Sequence, residues 1–261
     1  MATKAKAAPG AAKAKGKAYV GIGGWTFEPW RGTFYPPGHP QPKELHFASR
    51  ALTSIEINGT YYSTFKPDSW RKWHDETPDG FVFSVKASRF TTNRRVLAES
   101  KDSIAKFLGQ GLTLLGPKLG PINWQFMATK KFEPGDFEVF LKMLPPEKDG
   151  VRLRHAIEVR SPTFAVPAFY ELAAKYGAAI VCAADEDFPH IDQRTADFTY
   201  ARFMATRDDL DGGVSPKELD AIAAKVQGWQ AQGDVFAYFI SGAKIRNPAA
   251  AMALIKKLGK A

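Results

Sequence analysis

The residues with chemical capacity recur at alternate positions of short, otherwise apolar runs. In Ser54-Ile55-Glu56-Ile57-Asn58, Glu56 and Asn58 lie opposite Ile55 and Ile57. In Phe83-Ser84-Val85-Lys86, Ser84 and Lys86 lie opposite Phe83 and Val85. The arrangement returns in Ile122-Asn123-Trp124-Gln125 and in Ile157-Glu158-Val159-Arg160, and Tyr200 and Arg202 share a face in Phe198–Met204. A repeat of two is the signature of a strand. Charged and amide side chains are depleted in strands, and burying them costs free energy unless they are paired. A polar face repeated this often calls for a ligand or an internal network.

Two carboxylates, Glu56 and Glu158, are candidates for acid and base across a cavity, as in glycosidases, where their separation decides the outcome. Lys86 is a candidate Schiff-base nucleophile if desolvated. With Arg89, Arg160 and Arg202 it also suits a phosphate or carboxylate. Asn58 and Gln125 are candidate hydrogen-bonding groups, and Asp185 closes the apolar run Ala179–Ala184. The alternative is a self-neutralising set, Glu56, Glu158 and Asp185 against Lys86, Arg160 and Arg202. Replacing buried ion pairs with apolar residues is often neutral or stabilising, so a network this large points to ligand handling.

Other chemistries fit less well. None of His39, His46, His74, His155 and His190 ends an expected strand, so no metal site and no cofactor are expected, although carboxylates and amides can hold Mg²⁺ or Mn²⁺. Gly21-Ile22-Gly23-Gly24 resembles part of a dinucleotide fingerprint but runs into Trp25 and a Pro-rich loop where a helix is needed. The single cysteine, Cys182, sits in an apolar strand and reads as a buried structural thiol; it excludes an intrachain disulfide and fits a reducing compartment.

The elements that must position these groups alternate. Strands are expected at Tyr19–Trp25, Thr53–Asn58, Phe81–Ala87, Pro121–Phe126, His155–Arg160, Ala179–Ala184, Phe198–Met204 and Val235–Ile240. Between them fall helices at Pro42–Ala51, Pro67–Glu76, Ser100–Leu115, Asp136–Leu144 and Pro167–Tyr176. Two more follow, one opened by the capping box Ser215-Pro-Lys-Glu218 and one, Asn247–Leu258, with Asn247 as N-cap. The connection after the sixth strand shows no helical stripe. Eight such units predict a single α/β domain over residues 19–261, a closed (β/α)₈ TIM-type barrel. The aliphatic faces then pack against the helices and the polar faces point inward near the strands' C-terminal ends, where barrel enzymes place their sites. The loop Thr26–Gln41, with Trp30, Phe34, Tyr35 and three prolines, reads either as a cover over the site or as a packed plug.

The net charge is +9, of which five lysines in residues 1–18 supply more than half, leaving +4 over the remaining 243 residues. That Lys/Ala-rich stretch reads as a disordered tail, at most a weak nonspecific polyanion-binding arm. It lacks the apolar segment of a secretory signal, and the chain has no run of about 18 apolar residues, so a cytoplasmic protein with no membrane partner is expected.

The motifs Gly24-Trp25, Phe34-Tyr35-Pro36, Ile55-Glu56-Ile57-Asn58-x-Thr60-Tyr61-Tyr62, Phe83-x-Val85-Lys86-Ala87-x-Arg89, Leu119-Gly120-Pro121, Glu158-x-Arg160 and Thr195-Ala196-Asp197-Phe198 resemble, in order, the YecE-like family, the domain of unknown function seventy-two. The resemblance spans about residues 19 to 258 and implies a TIM barrel without implying a reaction. It carries the family's recurrent positions onto Trp25, Glu56, Asn58, Tyr61, Lys86, Arg89, Gln125, Glu158, Arg160, Asp185 and Arg202. Where relatives often have histidine, this chain has Asn93, Ser161 and Met204, and Ser241-Gly242 replaces a usual pair of asparagines. The departures imply a divergent subgroup with altered substrate or lost activity.

The function expected is therefore an enzyme, a hydrolase or isomerase working by acid/base chemistry on a small polar, anionic or sugar-like substrate. Trp25 and Tyr61 would wall the substrate. The alternatives are a non-catalytic ligand or nucleic-acid binder and a degenerate barrel kept as a scaffold.

Overall fold

The computed structural model describes residues 15–184 and 188–259. Its wall is built of β1 (Ala18–Gly23), β2 (Ser54–Ile57), β3 (Val82–Lys86), β4 (Leu119–Gln125), β5 (His155–Glu158), β6 (Ala179–Ile180 and Cys182–Ala184), β7 (Phe198–Phe203) and β8 (Asp234–Phe239). All neighbours pair in parallel. The two ends of the hydrogen-bonded order are the two pieces of β6, the first on β5 and the second on β7. Only Val181 separates them, and its amide donates to the Ile157 carbonyl at 2.9 Å. The sheet thus closes into the TIM-type barrel that alternation predicts.

Outside lie α1 (Glu44–Ala51), α2 (Pro67–Glu76), the short α3 (Arg89–Thr92), α4 (Lys101–Leu108), α5 (Pro134–Lys142), α6 (Pro167–Lys175), α7 (Pro216–Gln230) and α8 (Asn247–Lys257). Among the described residues no helix joins β6 to β7, as the missing stripe foretold. A two-stranded hairpin, Glu147–Lys148 with Val151–Arg152, precedes β5.

Two hydrophobic layers separate cleanly by strand parity. Ile55, Phe83, Val85, Ile122, Trp124 and Ile157 belong to the outer layer between wall and helices, while Val82, Ala156, Ala179, Phe198, Tyr200, Phe236 and Tyr238 fill the interior. Trp124, wholly buried, stands edge-on to Phe107 and Phe140, and its indole N–H donates to His155 Nδ1 at 3.1 Å. Burying side chains of this size contributes about 1.5–3 kcal/mol each, which holds the helices to the wall. The loop after β1 is a plug: Trp30 and Tyr35 are buried, and Trp30 Nε1 donates to the Lys244 carbonyl at 3.0 Å.

Two local expectations are corrected. The helix expected over Ser100–Leu115 stops at Leu108, and Gly111, at φ +106°, starts a separate 3₁₀ stretch, Leu112–Lys118. A backbone in that left-handed conformation cannot carry the α-helix onward, and glycine adopts it without steric cost. Asn247 does not cap α8; Arg246 occupies that position, and the Asn247 amide instead accepts from Thr206 Oγ1 at 2.7 Å and donates to the Ser241 carbonyl at 3.2 Å. The capping box at Ser215 is present as expected.

Residues 1–14 of the basic stretch lie outside the described residues. Gly16 and Lys17 are tied to the end of the barrel where strands begin: Gly16 N–H donates to the Gln230 carbonyl and Lys17 N–H to Asp234 Oδ1, at 2.8 and 2.9 Å. No described helix is long and apolar enough to cross a membrane.

Candidate active site at the C-terminal mouth of the barrel

The barrel interior changes character along its axis. At the floor, Tyr19 stacks on Phe236 and Arg154 lies over the same ring, 4.8 Å from its centroid. Midway, the Tyr238 hydroxyl bonds Ser54 Oγ and Ser84 Oγ at 2.7 and 2.6 Å, closing a buried hydroxyl layer. Burial raises the Tyr238 pKa, so the phenol stays protonated.

Above that layer sits the charged ring. Arg202, at the end of β7, donates from Nη1 to Glu158 Oε2 at 2.7 Å and from Nη2 to Glu56 Oε1 at 3.2 Å. The other oxygen of Glu56 accepts from the Tyr200 hydroxyl at 2.5 Å, and the other oxygen of Glu158 accepts from Arg160 Nε and Nη2 at 3.2 and 3.0 Å. Asn123 Nδ2 bridges the two acids, 3.0 Å from Glu158 Oε2 and 3.5 Å from Glu56 Oε2. Gln125 Oε1 accepts from Arg160 Nη2 at 3.0 Å. Glu56, Glu158, Asn123 and Arg202 are at most 2% exposed, so this is a desolvated array. Burial alone would raise the Glu158 pKa, but Arg202, Arg160 and Lys86 together hold it below the usual carboxylate range. At neutral pH Glu158 is therefore a carboxylate and a poor proton donor. Burial likewise raises the Tyr200 phenol, and the adjacent Glu56 carboxylate adds to the effect.

Lys86 is placed differently. It ends β3 with its ammonium 4.5 Å from the Tyr61 ring centroid, and it makes no ion pair with a described carboxylate. Burial, with Arg202 nearby, pushes its pKa down to about 8.

The loops that carry these groups are stapled by threonines. Thr60 Oγ1, after β2, donates to the Lys86 carbonyl at 2.6 Å. Thr92 Oγ1, after β3, does the same to the Gln125 carbonyl at 2.6 Å. Each hydroxyl satisfies a carbonyl at the end of the next strand, where the ladder has run out, and so fixes where Lys86 and Gln125 leave the wall. Gly23 opens space at the rim: a Cβ there would meet Asn58 Nδ2 at 2.5 Å.

Of the expected site residues, Glu56, Glu158, Lys86, Gln125, Arg160, Arg202 and Tyr61 come together. Asn58 borders them, its Nδ2 3.5 Å from the Glu56 carbonyl. Trp25 does not wall the mouth; its ring meets Trp73 and Phe83, at 5.2 and 6.2 Å, in the outer layer. Arg89 is exposed at the rim between Tyr62 and Phe90, 5.9 and 5.2 Å from their ring centroids. Asp185 lies outside the described residues. Asn123 and Tyr200 join the ring although neither was an expected site residue; strand alternation, which turns both inward, is the signal for them.

Among the described residues, three buried atoms of this region find no partner: Arg202 Nε, Asn123 Oδ1 and Asn58 Oδ1. The orientation of Asn123 is dictated chemically, because two carboxylates can only accept and so require its NH₂ group, leaving Oδ1 as a vacant acceptor. Buried polar atoms are normally satisfied, so a set of orphans facing one chamber marks where a polar ligand or water binds.

No cluster of three or more potential metal ligands exists among the described residues. His155 is structural: Nδ1 accepts from Trp124, Nε2 meets the Pro145 carbonyl at 2.8 Å, and burial pushes its pKa down to about 4. Burial raises the Cys182 thiol to about 11, consistent with an unreactive core cysteine.

A family model described as "Protein of unknown function DUF72" matches residues 19–261. The UPF0759 protein YecE of Escherichia coli (strain K12) is 27% identical over 154 residues, covering 56% of this chain and 49% of the relative. The chain thus spans about half the length of that curated relative. A crystal structure of a DUF72 family protein from Thermotoga maritima superposes with a TM-score of 0.75 at 20% identity, over 94% of this chain and 100% of the other. A fusion protein described as xylose isomerase-like TIM barrel/4-hydroxyphenylpyruvate dioxygenase gives a TM-score of 0.52 at 12% identity, over 94% of this chain and 43% of the fusion. At these identities the structural likeness speaks to the fold alone.

Proposed function

The chain belongs to the DUF72 family, and from the mouth of its barrel we propose an enzyme acting on a small, polar, anionic substrate, with Lys86 as its proton-handling or nucleophilic group. The observation that carries this reading is the division of labour among the mouth cations. Arg202 and Arg160 are committed to Glu56 and Glu158, whereas Lys86 pairs with no carboxylate among the described residues. Among the described residues, Lys86, Arg160 and Arg202 face the two carboxylates Glu56 and Glu158, a balance that favours an anion. The glutamates then serve as fixed negative charges that orient the guanidinium groups, rather than as the acid/base pair expected of two inward-facing carboxylates. The orphaned amide oxygens of Asn58 and Asn123 suit a substrate that also carries hydroxyl donors.

A thermal-shift screen of small hydroxylated and oxo acids tests this. A ligand at about 100 times its Kd should stabilise the protein by about 2.7 kcal/mol. Lys86→Met should abolish that shift while leaving the unliganded melting temperature nearly unchanged. If no compound shifts the wild type, and Glu56→Gln with Glu158→Gln raises its melting temperature, the ring is a structural network and the reading falls.

A polyanion-binding reading has one observation in its favour. A cleft of about 700 Å³ beside the mouth is lined by Arg94, Arg95, Lys130 and Lys131, of which, among the described residues, only Lys130 is ion-paired, to Asp136 at 2.6 Å. Lys17 does not extend this surface, since it is tied to the opposite end of the barrel.

A further inference from the structure

We propose that Lys86 forms an imine with a small anionic aldehyde or 2-oxo acid, and that the orphaned Asn123 Oδ1 and Arg202 Nε receive the oxygens around the reacting carbon. The proposal rests on the reading of the mouth as an active site and names the substrate class it takes.

Three features converge on the Lys86 amine. Its stem is carried by the last residue of β3, whose carbonyl is pinned by Thr60, so the amine has a fixed origin. One side faces the Tyr61 ring, and among the described residues no carboxylate holds it in an ion pair. Lys86 and Asn123 are also register partners on neighbouring strands, which sets their side chains next to each other inside the barrel.

Simple anion holding would be served best by a fully protonated lysine. Burial and Arg202 instead bring this one to about 8, so roughly a tenth is free amine at pH 7, the form that attacks a carbonyl. In the step itself the Nζ lone pair attacks the carbonyl carbon, the C=O π pair moves onto oxygen, and a proton passes from nitrogen to that oxygen. The resulting carbinolamine hydroxyl is a donor of the kind Asn123 Oδ1 lacks. Uptake of one proton from solvent at the open mouth lets the hydroxyl leave as water, and the nitrogen pair forms the C=N bond of a protonated imine. Arg202 Nε, whose neighbouring nitrogens are both engaged, has a free N–H for a substrate oxygen. Arg160, partly exposed beside it, is placed to meet the substrate's carboxylate or phosphate.

Borohydride trapping tests the imine. The folded protein is incubated separately with pyruvate, glyoxylate and glyceraldehyde 3-phosphate, reduced, and analysed by intact mass and peptide mapping. One of the three should give a single adduct on the peptide carrying Lys86, at least tenfold faster than on any other lysine. Its rate should climb with pH and level off above about 8. Lys86→Arg, which keeps the charge, should remove the adduct, and Asn123→Leu should slow it at least tenfold. Labelling spread evenly over surface lysines, or unchanged in Lys86→Arg, overturns the imine. If adducts are absent while a non-carbonyl hydroxy acid still gives a Lys86-dependent thermal shift, the imine is refuted and the anion-binding mouth stands.

Discussion

At the floor of the barrel, Arg154 lies over Phe236, reaches Asp234 at 3.6 Å and donates to the Leu119 carbonyl at 3.4 Å. At the mouth, Arg202 is gripped by two buried carboxylates and still keeps an N–H without an acceptor among the described residues. Both arginines project into the same cylinder, one before the first residue of β5 and one near the end of β7. The floor arginine is loosely held and partly solvated, and its contacts read as a stopper. The mouth arginine is desolvated and over-committed to acids, while its neighbours Asn123 and Lys86 are under-committed. Charge that serves stability alone tends to be paired off or left near water. Charge that is buried, exactingly oriented and incompletely satisfied is the pattern of a binding or reacting site.

The sharpest way to break this contrast is to remove each arginine in turn. Arg202→Met strands Glu56 and Glu158 in a dry interior and should cost about 3–5 kcal/mol, read from urea denaturation. Adding Glu56→Gln and Glu158→Gln to the same chain should recover most of that loss. Acidification gives the next largest effect, from a group at the floor end of the wall. His155 is neutral when folded, with a pKa of about 4 against an ordinary 6.5. The unfolded chain therefore binds the extra proton first, and stability should fall as pH drops from 6.5 toward 4, by about 3 kcal/mol in all. A denaturation series across that window, compared with His155→Asn, isolates this contribution. Arg154→Met should be the mildest, about 1 kcal/mol or less, because its ion pair is long and its side chain is 20% exposed. A loss at Arg154 equal to that at Arg202 would erase the distinction between the two ends.

Much of this was legible without coordinates because a strand's side chains must alternate. Ile55 and Ile57 announce which way Glu56 points, and the same holds for Lys86, Glu158 and Arg202. What alternation cannot supply is partnership. Nothing local tells that Arg202 lies between Glu56 and Glu158, 146 and 44 residues away, or that Asn123 turns its NH₂ to both acids. Trp25 misled because it follows β1 into a loop, where strand parity no longer governs direction. The helix expected over Ser100–Leu115 failed because its apolar stripe continues across Gly109 and Gly111, whose backbone freedom outweighs the pattern.

By itself, then, the sequence determined the barrel, the inward face and most of the strand-borne groups that meet at its mouth, since these follow from local periodicity and from the need to bury apolar surface. The tertiary structure alone decided which charges neutralise one another and that, among the described residues, Lys86 pairs with no acid, is lowered to about 8, and has unpaired polar atoms for neighbours. The reason is physical: pairing and desolvation depend on distances between residues from different strands, and those distances exist only once the ring has closed through Val181.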